Sequence, residues 1–508
     1  MFRPTLLAIL VIVMIVTSTS TSIALAIGTS PPLLLPIKFV NNNTVSKLST
    51  TPAPRNALLS EANTTSNATL TNNTSSTTST AQPSSLAPPP PTIMAAITFG
   101  GIKNLSNNAG DSRNPLVEVS GNIVYVVWVD LTTPTGNGDI FFKRSTDGGN
   151  TFSNTVNLSN DTGESGDPII AKSGSNLYIL WTDFSNQDIM FKRSADNGAT
   201  FASTVNLSMD TNRSGNPHIT ASGNNVYVVW EDLISNVEEA RLLFRASNNN
   251  GASFGAAKVI SPVVVESIGA QVAASGNNVY IAGHDGSEDN TEIFFMRSTN
   301  NGGSFSNPIS INNNHEASIF NKIIADGNNV YLVWMDDSRN NFDVFFRRST
   351  DNGASFKDII NLSNNAGHSG SPAMGVIGNN VYVVWVDSTP NQSCCDILFK
   401  TSTNSGASFS STKNISNNPG ESGFPQISKS GTAVRIVWQD GIFGGQADVL
   451  FRASGDNGFT FGNIRNLSGN NAGMSENPMI ISSGDNMYVV WQDNTSGNSE
   501  ILFIKGIA

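Results

Sequence analysis

Cysteine and charged residues are scarce in this sequence. Its 508 residues include only two cysteines, and these are adjacent at Cys394 and Cys395. Neighbouring cysteines cannot cross-link distant parts of a fold, so stability has to come from packing and closure. Whether they form a vicinal disulfide or two free thiols stays open. The low charged content of 13% suits a large all-β body better than helices rich in Glu, Lys and Leu.

Basic clusters and long apolar runs are also missing. The net charge is −11, and no run of Lys or Arg could neutralise a phosphate backbone, so nucleic acid is excluded as an expected partner. The apolar stretch from Leu6 to Val16 has about half of the ~20 residues that a membrane-spanning helix needs. It follows Arg3 and precedes Ala24-Leu25-Ala26. We therefore predict a signal peptide over residues 1–26, with a retained membrane anchor as the alternative, and a secreted or cell-surface protein.

Residues 27–95 are rich in Ser, Thr, Asn and Pro and contain almost no aromatic residues. Such a segment cannot bury enough apolar surface to order itself, so we predict a disordered linker or stalk. Whether its sequons carry glycans stays open. They begin at Asn42, Asn63, Asn67, Asn72 and Asn73.

Beyond residue 96 the sequence repeats a strand-like segment with the pattern Tyr-x-x-Trp-x-Asp. The terminal aspartates recur every 49 (Asp183 to Asp232) to 53 (Asp130 to Asp183) residues, a period typical of propeller blades. Each period contains four short strand signals separated by Gly, Ser and Asn turns. The repeated aspartates are Asp130, Asp183, Asp232, Asp285, Asp336, Asp387, Asp440 and Asp493.

A second motif, Ser-x-Asp/Asn-x-Gly-x-Thr/Ser-Phe, lies between the third and fourth strand signals. In this motif the sequence resembles the Asp-box, or BNR-repeat, β-propellers of the sialidase superfamily. The resemblance covers about four-fifths of the chain and implies a β-propeller. Because the chain has eight second-strand signals, we predict an all-β fold with one eight-bladed propeller of four-stranded antiparallel blades over residues 96–508. The seven copies are 145–152, 194–201, 247–254, 298–305, 349–356, 402–409 and 454–461.

The eighth repeat ends after its third strand signal, at Ile501 to Lys505. Its missing end is found at the start of the domain, where Thr98-Phe99 and Lys103 to Ser106 match the segment that completes every other repeat. We predict that this N-terminal strand completes blade 8 and closes the ring, which removes an exposed sheet edge.

The resemblance also raises sialidase activity, which in the family uses a Tyr nucleophile activated by a Glu, an Asp acid/base and three arginines that bind the substrate carboxylate. Only Arg113, in Ser112-Arg113-Asn114-Pro115, partly matches the Arg-x-Pro motif that carries one of these arginines. Arg113 can equally be a surface residue of a structural turn. No tyrosine is left over to act as a nucleophile, because all seven occupy one repeat position. They are Tyr125, Tyr178, Tyr227, Tyr280, Tyr331, Tyr382 and Tyr488.

The repeat is most irregular in its fourth and fifth copies, where a ligand site and a degenerate repeat are competing interpretations. In the fourth copy Gly283 replaces Trp, which would leave a pocket unless neighbours fill it. Catalytic candidates are Arg113, His284 and Asp285. Ligand-binding candidates, including irregular loop aromatics, are Glu266, Gln271, Glu288, His315, Glu316, Phe320, Phe424 and Phe443.

The aspartate ring could be interpreted as a metal or polyol site, but an aspartate present in every blade more simply fixes its own loop. We therefore expect no cofactor, with calcium possible but not established. The expected function is a glycan- or protein-binding propeller without sialidase turnover, acting as a monomer and reaching a membrane only through the possible anchor. The alternatives are a divergent exo-α-sialidase or other glycoside hydrolase, and a structural component of a cell envelope.

Overall fold

The computed structural model describes most of the predicted propeller domain. It covers residues 96–132, 136–209, 212–234, 239–261, 267–285, 291–312, 317–337, 341–388, 395–418, 420–441, 446–469 and 473–508. The predicted signal peptide and linker lie outside these ranges. No helix within the ranges is long and apolar enough to cross a membrane.

The chain folds into an eight-bladed β-propeller of four-stranded antiparallel sheets. In each blade the first strand is innermost and the short fourth strand is outermost. The chain opens with β1 (Thr98–Phe99) and β2 (Lys103–Asn104). Blade 1 contains β3 (Ser112–Ser120), β4 (Ile123–Asp130), β5 (Asp139–Ser145) and β6 (Val156–Asn157), and blade 2 contains β7 (Ser165–Ser173), β8 (Asn176–Asp183), β9 (Asp188–Ser194) and β10 (Val205–Asn206). Blade 3 contains β11 (Arg213–Ser222), β12 (Asn225–Ile234), β13 (Glu239–Ser247) and β14 (Lys258–Val259), and blade 4 contains β15 (Ser267–Ser275), β16 (Asn278–Asp285), β17 (Glu292–Ser298) and β18 (Ile309–Ser310).

The second half of the ring repeats this arrangement. Blade 5 contains β19 (Ser318–Asp326), β20 (Asn329–Asp336), β21 (Asp343–Ser349) and β22 (Ile360–Asn361), and blade 6 contains β23 (His368–Ile377), β24 (Asn380–Ser388), β25 (Asp396–Ser402) and β26 (Lys413–Asn414). Blade 7 contains β27 (Ser422–Ser430), β28 (Ala433–Asp440), β29 (Asp448–Ser454) and β30 (Arg465–Asn466), and blade 8 contains β31 (Ser475–Ser483), β32 (Asn486–Asp493) and β33 (Glu500–Ile507).

The predicted ring closure is confirmed. β1 and β2 both pair antiparallel with β33, with Thr98 opposite Ile507 and Lys103 opposite Phe503. The first strand of blade 8 also packs against the first strand of blade 1. Blade 8 is therefore built from both ends of the domain, and its outer edge is covered.

The core lies between the blades, because each second strand is buried on both of its faces. In β4 the side chains of Val126 and Val127 point to opposite faces, and both are fully buried. The apolar pattern of the second strands thus reflects a sheet packed between two neighbouring sheets. The tryptophan of the repeat is also fully buried wherever it occurs: Trp128, Trp181, Trp230, Trp334, Trp385, Trp438 and Trp491.

Aromatic side chains connect each blade to the next. Tyr125 stacks on Phe142 within blade 1, at 6.4 Å between ring centroids, and Phe142 meets the edge of Phe201 in blade 2 at 5.0 Å. At the seam, Phe503 of blade 8 contacts Phe152 of blade 1 in the same way, at 4.9 Å. The repeated Tyr and Phe positions therefore hold the ring together.

The Asp-box segments form tight hairpins held by their own side chains. The Ser145 hydroxyl donates to Asp147 Oδ1 at 2.7 Å, and the amide and hydroxyl of Thr151 donate to the Asp147 carboxylate at 2.8 and 2.6 Å. These hydrogen bonds, those from Thr151 first, hold the pKa of Asp147 well below its usual range. Gly149 has a φ of 82°, and a Cβ there would lie 2.6 Å from Phe503, so only glycine fits.

The connections between strands lie on two opposite faces, as predicted. The Gly148 amide of the first Asp-box hairpin donates to the Asn122 carbonyl in the turn between β3 and β4, at 2.8 Å. The Asp-box hairpins and these turns define the Asp-box face. The other face carries the second-to-third and fourth-to-first connections, and we call it the loop face. Cys395 lies there, buried and disulfide-bonded; the only other cysteine, Cys394, is outside the described residues.

Candidate functional site

The inner wall of the ring is formed by the eight first strands. Each of them contacts the first strands of both neighbouring blades, so together they surround an axial channel. These strands are longer than the sequence signals suggested, because each continues towards the loop face past a β-bulge. The bulge residue precedes Pro in most blades and has a positive φ, for example 54° at Asn114 and 50° at Asp167. Asn and Asp tolerate this conformation, which accounts for their use before the prolines.

The aspartates that end the second strands serve the scaffold wherever their side chains are described. Asp130 accepts hydrogen bonds from Ser112 at 2.8 Å, Asn108 at 2.6 Å and the Trp128 indole at 3.0 Å. Asp440 is bound in the same way by Ser422 and Asn418. The interpretation that each aspartate fixes its own loop therefore fits these contacts better than a metal ring. In the described residues no group of three or more His, Cys, Asp or Glu side chains could hold a metal ion.

Most arginines of the third strands also belong to the scaffold. Arg144 donates to the Asn197 carbonyl in the next blade at 3.0 Å, and Arg348 donates to the Ser405 carbonyl at the same distance. Arg113 differs, because its side chain is 50% exposed on the loop face and pairs with Asp111 at 2.7 Å. It thus stands in blade 1, on the opposite side of the ring from the irregular blades 4 and 5.

All seven tyrosines are buried, and none is more than 2% exposed. Their rings pack between blades, and the hydroxyls of Tyr227 and Tyr382 donate to Asn301 at 3.1 Å and to Asn457 at 3.0 Å, both in the Asp-box hairpin of the next blade. Burial raises the pKa of Tyr227 to about 12. A hydroxyl in such a position cannot reach a ligand on the loop face.

Phe294 of the neighbouring strand β17 occupies part of the space that the tryptophan indole takes in other blades. A Cβ at Gly283 would lie 2.8 Å from the Phe294 ring and 3.2 Å from the Ala270 backbone. The missing indole is thus compensated by an adjacent aromatic ring. A shallow cavity of about 260 Å³ lies instead at the outer rim, between Lys258, Met296, Phe305 and Pro308.

His284 lies beside Gly269, the bulge residue of blade 4. Its side chain is buried, and Nδ1 has no hydrogen-bond partner among the described residues. Burial lowers the pKa of His284 to about 4, so the ring is neutral at physiological pH. A Cβ at Gly269, the bulge residue, would be 3.6 Å from His284 Cε1. Other blades have a side chain at this bulge position.

Glu231 is a buried carboxyl group that the sequence analysis missed. It holds the position before the terminal aspartate in blade 3, which His284 holds in blade 4. Oε1 accepts the Gly269 amide and Oε2 accepts the Asn216 side-chain amide, both at 2.8 Å. Burial raises the pKa of Glu231 to about 8. The only signal in the sequence was an acidic residue at a position where most repeats have Val, Thr, Met or Gln.

We expect the Glu231→Gln variant to change how stability depends on pH. Because the folded-state pKa lies above the ordinary 4.5, the contribution of Glu231 is fully present below pH 4.5 and is lost as the pH rises towards 8. Each pH unit between the two pKa values corresponds to about 1.4 kcal/mol. The free energy of unfolding of Glu231→Gln relative to wild type should therefore rise between pH 5 and pH 8, as measured by denaturant titration.

Gln439 provides a matched control, because it occupies the equivalent position in blade 7 and is also buried. The Gln439→Glu variant should have a second buried carboxyl group, so its free energy of unfolding should fall more steeply with rising pH than that of wild type. The Glu231→Gln variant should show the opposite change. His218 and His284, whose pKa values are also lowered by burial, are present in wild type and in both variants. Their contributions to the pH dependence of stability therefore cancel in each comparison with wild type. An equal pH dependence in wild type and Glu231→Gln would show that Glu231 is ionised in the folded protein.

The structure places the remaining candidate residues in different parts of the ring. Gln271 is half-buried in the inner wall, directly after the bulge of blade 4. Phe424 is the bulge residue of blade 7, with a φ of 53° that is unusual for an aromatic residue, and it is three blades away from His284. The backbones of Asp285 and Phe320 are in strands, but their side chains are not described. The candidates outside the described residues are Glu266, Glu288, His315, Glu316 and Phe443.

Solved structures with a similar course of the chain include glycan-active enzymes. A Hadza microbial sialidase is 15% identical, with a TM-score of 0.38 over 54% of this chain and 63% of that chain. A mutant of Trypanosoma rangeli sialidase displaying trans-sialidase activity is 12% identical, with a TM-score of 0.36 over 62% of this chain and 60% of that chain. Polysaccharide lyase Uly1 is 10% identical, with a TM-score of 0.45 over 80% of this chain and 91% of that chain.

These likenesses concern the fold alone. This chain spans less than two thirds of the length of both sialidases. No family model and no curated protein matches it.

Proposed function

We propose that this protein is an exported recognition propeller that binds a glycan or an extracellular protein on its loop face and has no sialidase turnover. The observation that carries the proposal is the burial of all seven tyrosines. A retaining mechanism with a tyrosine nucleophile needs a hydroxyl that can reach the substrate. Each tyrosine ring here is packed between blades instead.

The arginines support the same proposal. Third-strand arginines such as Arg144 and Arg348 are bound to carbonyl groups of the next blade, and Arg113 is paired with Asp111. A clamp for a substrate carboxylate requires several arginines that converge on one point. The predicted export, stalk and monomeric state are part of this proposal, with the stalk giving the propeller reach from a surface.

The proposal predicts no release of the fluorophore from fluorogenic sialosides, and weak or no hydrolysis of other glycosides. The full chain would be incubated with a panel of such substrates beside an active sialidase as the positive control. The same preparation would be applied to a glycan array, where retained binding without turnover is expected. Co-purification with assembled surface material would instead support a structural envelope component.

Two variants locate any activity that is found. Sialoside hydrolysis that is lost in Arg113→Ala would mean that the family's chemistry persists with another nucleophile. Hydrolysis that survives Arg113→Ala but is lost in His284→Ala would place a hydrolase site in blade 4. Either result would replace the binding function with the glycoside hydrolase alternative.

A further inference from the structure

The inner wall of the channel is polar in blades 3 to 5, about halfway along the first strands. Directly after the bulge, three consecutive blades place His218, Gln271 and Lys322 at the same position of their first strands. The equivalent residues in blades 1, 2, 6 and 8 are apolar (Leu116, Ile169, Ala373 and Met479), and blade 7 has the uncharged Gln426. The sector formed by His218, Gln271 and Lys322 therefore breaks the symmetry of the inner wall.

Lys322 has no acidic partner among the residues that the structure describes, and it makes no hydrogen bond or ion pair with any of them. Lys322 is exposed to solvent, yet the surrounding protein lowers its pKa. A cationic group with a perturbed pKa in a channel is a candidate for binding a ligand.

The other lysines of the inner wall show the contrast. Burial raises the pKa of Glu118, while the Val119 amide and then the nearby Lys172 and Lys429 act in the opposite direction. Asp326 and Glu118 likewise act on the pKa of Lys429, against the effect of its burial. These residues lie two to four positions further along their strands than the position of Lys322, at about 3.3 Å per residue. That part of the channel thus holds charges of both signs near one another.

His218 can supply a second donor beside Lys322. Its Nδ1 accepts the Val272 amide of blade 4 at 3.3 Å, which assigns the proton of the neutral ring to Nε2. Burial, and then the nearby Lys322 ammonium, lower the pKa of His218 to about 4. The ring is therefore neutral at physiological pH and keeps one N–H for a ligand.

We infer that His218, Gln271 and Lys322 form a binding site for an oxyanion, a carboxylate or a sulfate ester of the ligand, inside the channel directly after the bulges of blades 3 to 5. This inference rests on the proposed function and specifies the charge of what is bound. The site is distinct from Arg113, which is paired with Asp111 in blade 1. A bound anion would also account for a lysine inside the ring of a protein of net charge −11, with no acidic partner in the described part of the chain.

The test measures access to individual lysines in the full chain. Trace acetylation with acetic anhydride, followed by mass spectrometry, reports the reactivity of Lys322, Lys172 and Lys429 in one sample. Sodium glucuronate and sodium sulfate are the probes, and glucose and sodium chloride are their neutral and ionic-strength controls. We expect glucuronate, sulfate or both to lower the labelling of Lys322 about fivefold when held at about four times the Kd, and to spare the other two lysines.

Two matched variants separate the site from general charge effects. Lys322→Met should abolish calorimetric binding of the protecting anion, and Lys172→Met should leave it unchanged. Protection by glucuronate alone identifies a carboxylate, and protection by sulfate alone identifies a sulfate ester. Equal protection of all three lysines, or of none, overturns the inference.

The same variants distinguish this inference from the proposed function. One outcome is that Lys322→Met still binds neutral glycans and that no anion binds at Lys322 in wild type. This outcome overturns the oxyanion site and leaves the proposed recognition function unchanged. The other outcome is that anions protect Lys322 but the protein binds no glycan on the array and no extracellular protein. This outcome supports the oxyanion site and contradicts the proposed function.

Discussion

Deletion of Thr98–Ser106 is expected to remove most of the stability of the propeller. β33 would lose its pairing with β1 and β2, and its edge would be exposed along Leu502 to Ile507. The deletion also removes buried Leu105 and the contact of Phe99 with Phe451 at 5.2 Å. Truncating one buried Leu or Phe alone costs about 2–5 kcal/mol, against a total of about 5–15 kcal/mol for a typical domain.

Thermal unfolding and size-exclusion chromatography would measure the loss. A chain that begins at Ala96 keeps both closing strands and is the matched control, so it should retain the melting temperature of the full protein. The deletion variant should unfold at a much lower temperature and form aggregates through its open edge. A soluble, monomeric deletion variant that melts with the control would contradict closure by the N-terminal strand.

Substitution of Arg435 by Ala is expected to destabilise the seam between blades 7 and 8 by about 2–5 kcal/mol. Arg435 replaces the tyrosine of the repeat and is almost fully buried. Its guanidinium donates to the carbonyl groups of Gly484 and Asp485 in blade 8, both at 3.3 Å. The Ala variant would leave a cavity at the seam and would lose both hydrogen bonds to this turn.

The reason for an arginine at this position lies in the missing Asp-box of blade 8. In blade 6 the Tyr382 hydroxyl donates to Asn457 in the Asp-box hairpin of blade 7. Blade 8 has no such hairpin, because its outermost strands are β1 and β2, which precede blade 1 along the chain and do not follow β33. A tyrosine in blade 7 would therefore lack a partner, whereas the longer arginine reaches the turn at residues 484 and 485.

Urea titration would compare Arg435→Ala with two controls. Arg435→Met keeps much of the side-chain volume without the donors, so its loss should be smaller than that of Ala. Tyr382→Phe removes one hydrogen bond at the equivalent position of blade 6 and should cost about 1 kcal/mol. A loss no larger in Arg435→Ala than in Tyr382→Phe would mean that the guanidinium does not stabilise the seam.

Much of the fold could be predicted because the same residues recur in seven or eight of the eight repeats. Tyr125, Trp128 and Asp130 recur at one period, and a residue that recurs in every blade has to serve a contact that every blade makes. The closing strand was recognisable for the same reason, since Phe99 stands where the Asp-box Phe of blade 8 would be. The seven buried tyrosines were likewise identified as scaffold before any packing was known.

The site could not be predicted in the same way, since its residues do not repeat. Glu231 and His284 come from different blades and are brought to Gly269 by the packing of blade 3 on blade 4. His218 and Lys322 are separated by an entire blade in the sequence. A pattern within one repeat carries no information about which charges of different blades meet across the channel.

The sequence by itself thus determined the architecture, its closure and the structural role of the repeated residues. The tertiary structure alone decided that Lys322 has no acidic partner among the described residues, that Glu231 is buried and that Arg435 spans the seam. The physical reason is that strand pairing and hairpin formation depend on residues close along the chain, where periodicity is visible. Burial and charge pairing around the channel depend instead on distances between blades, which only the closed ring fixes.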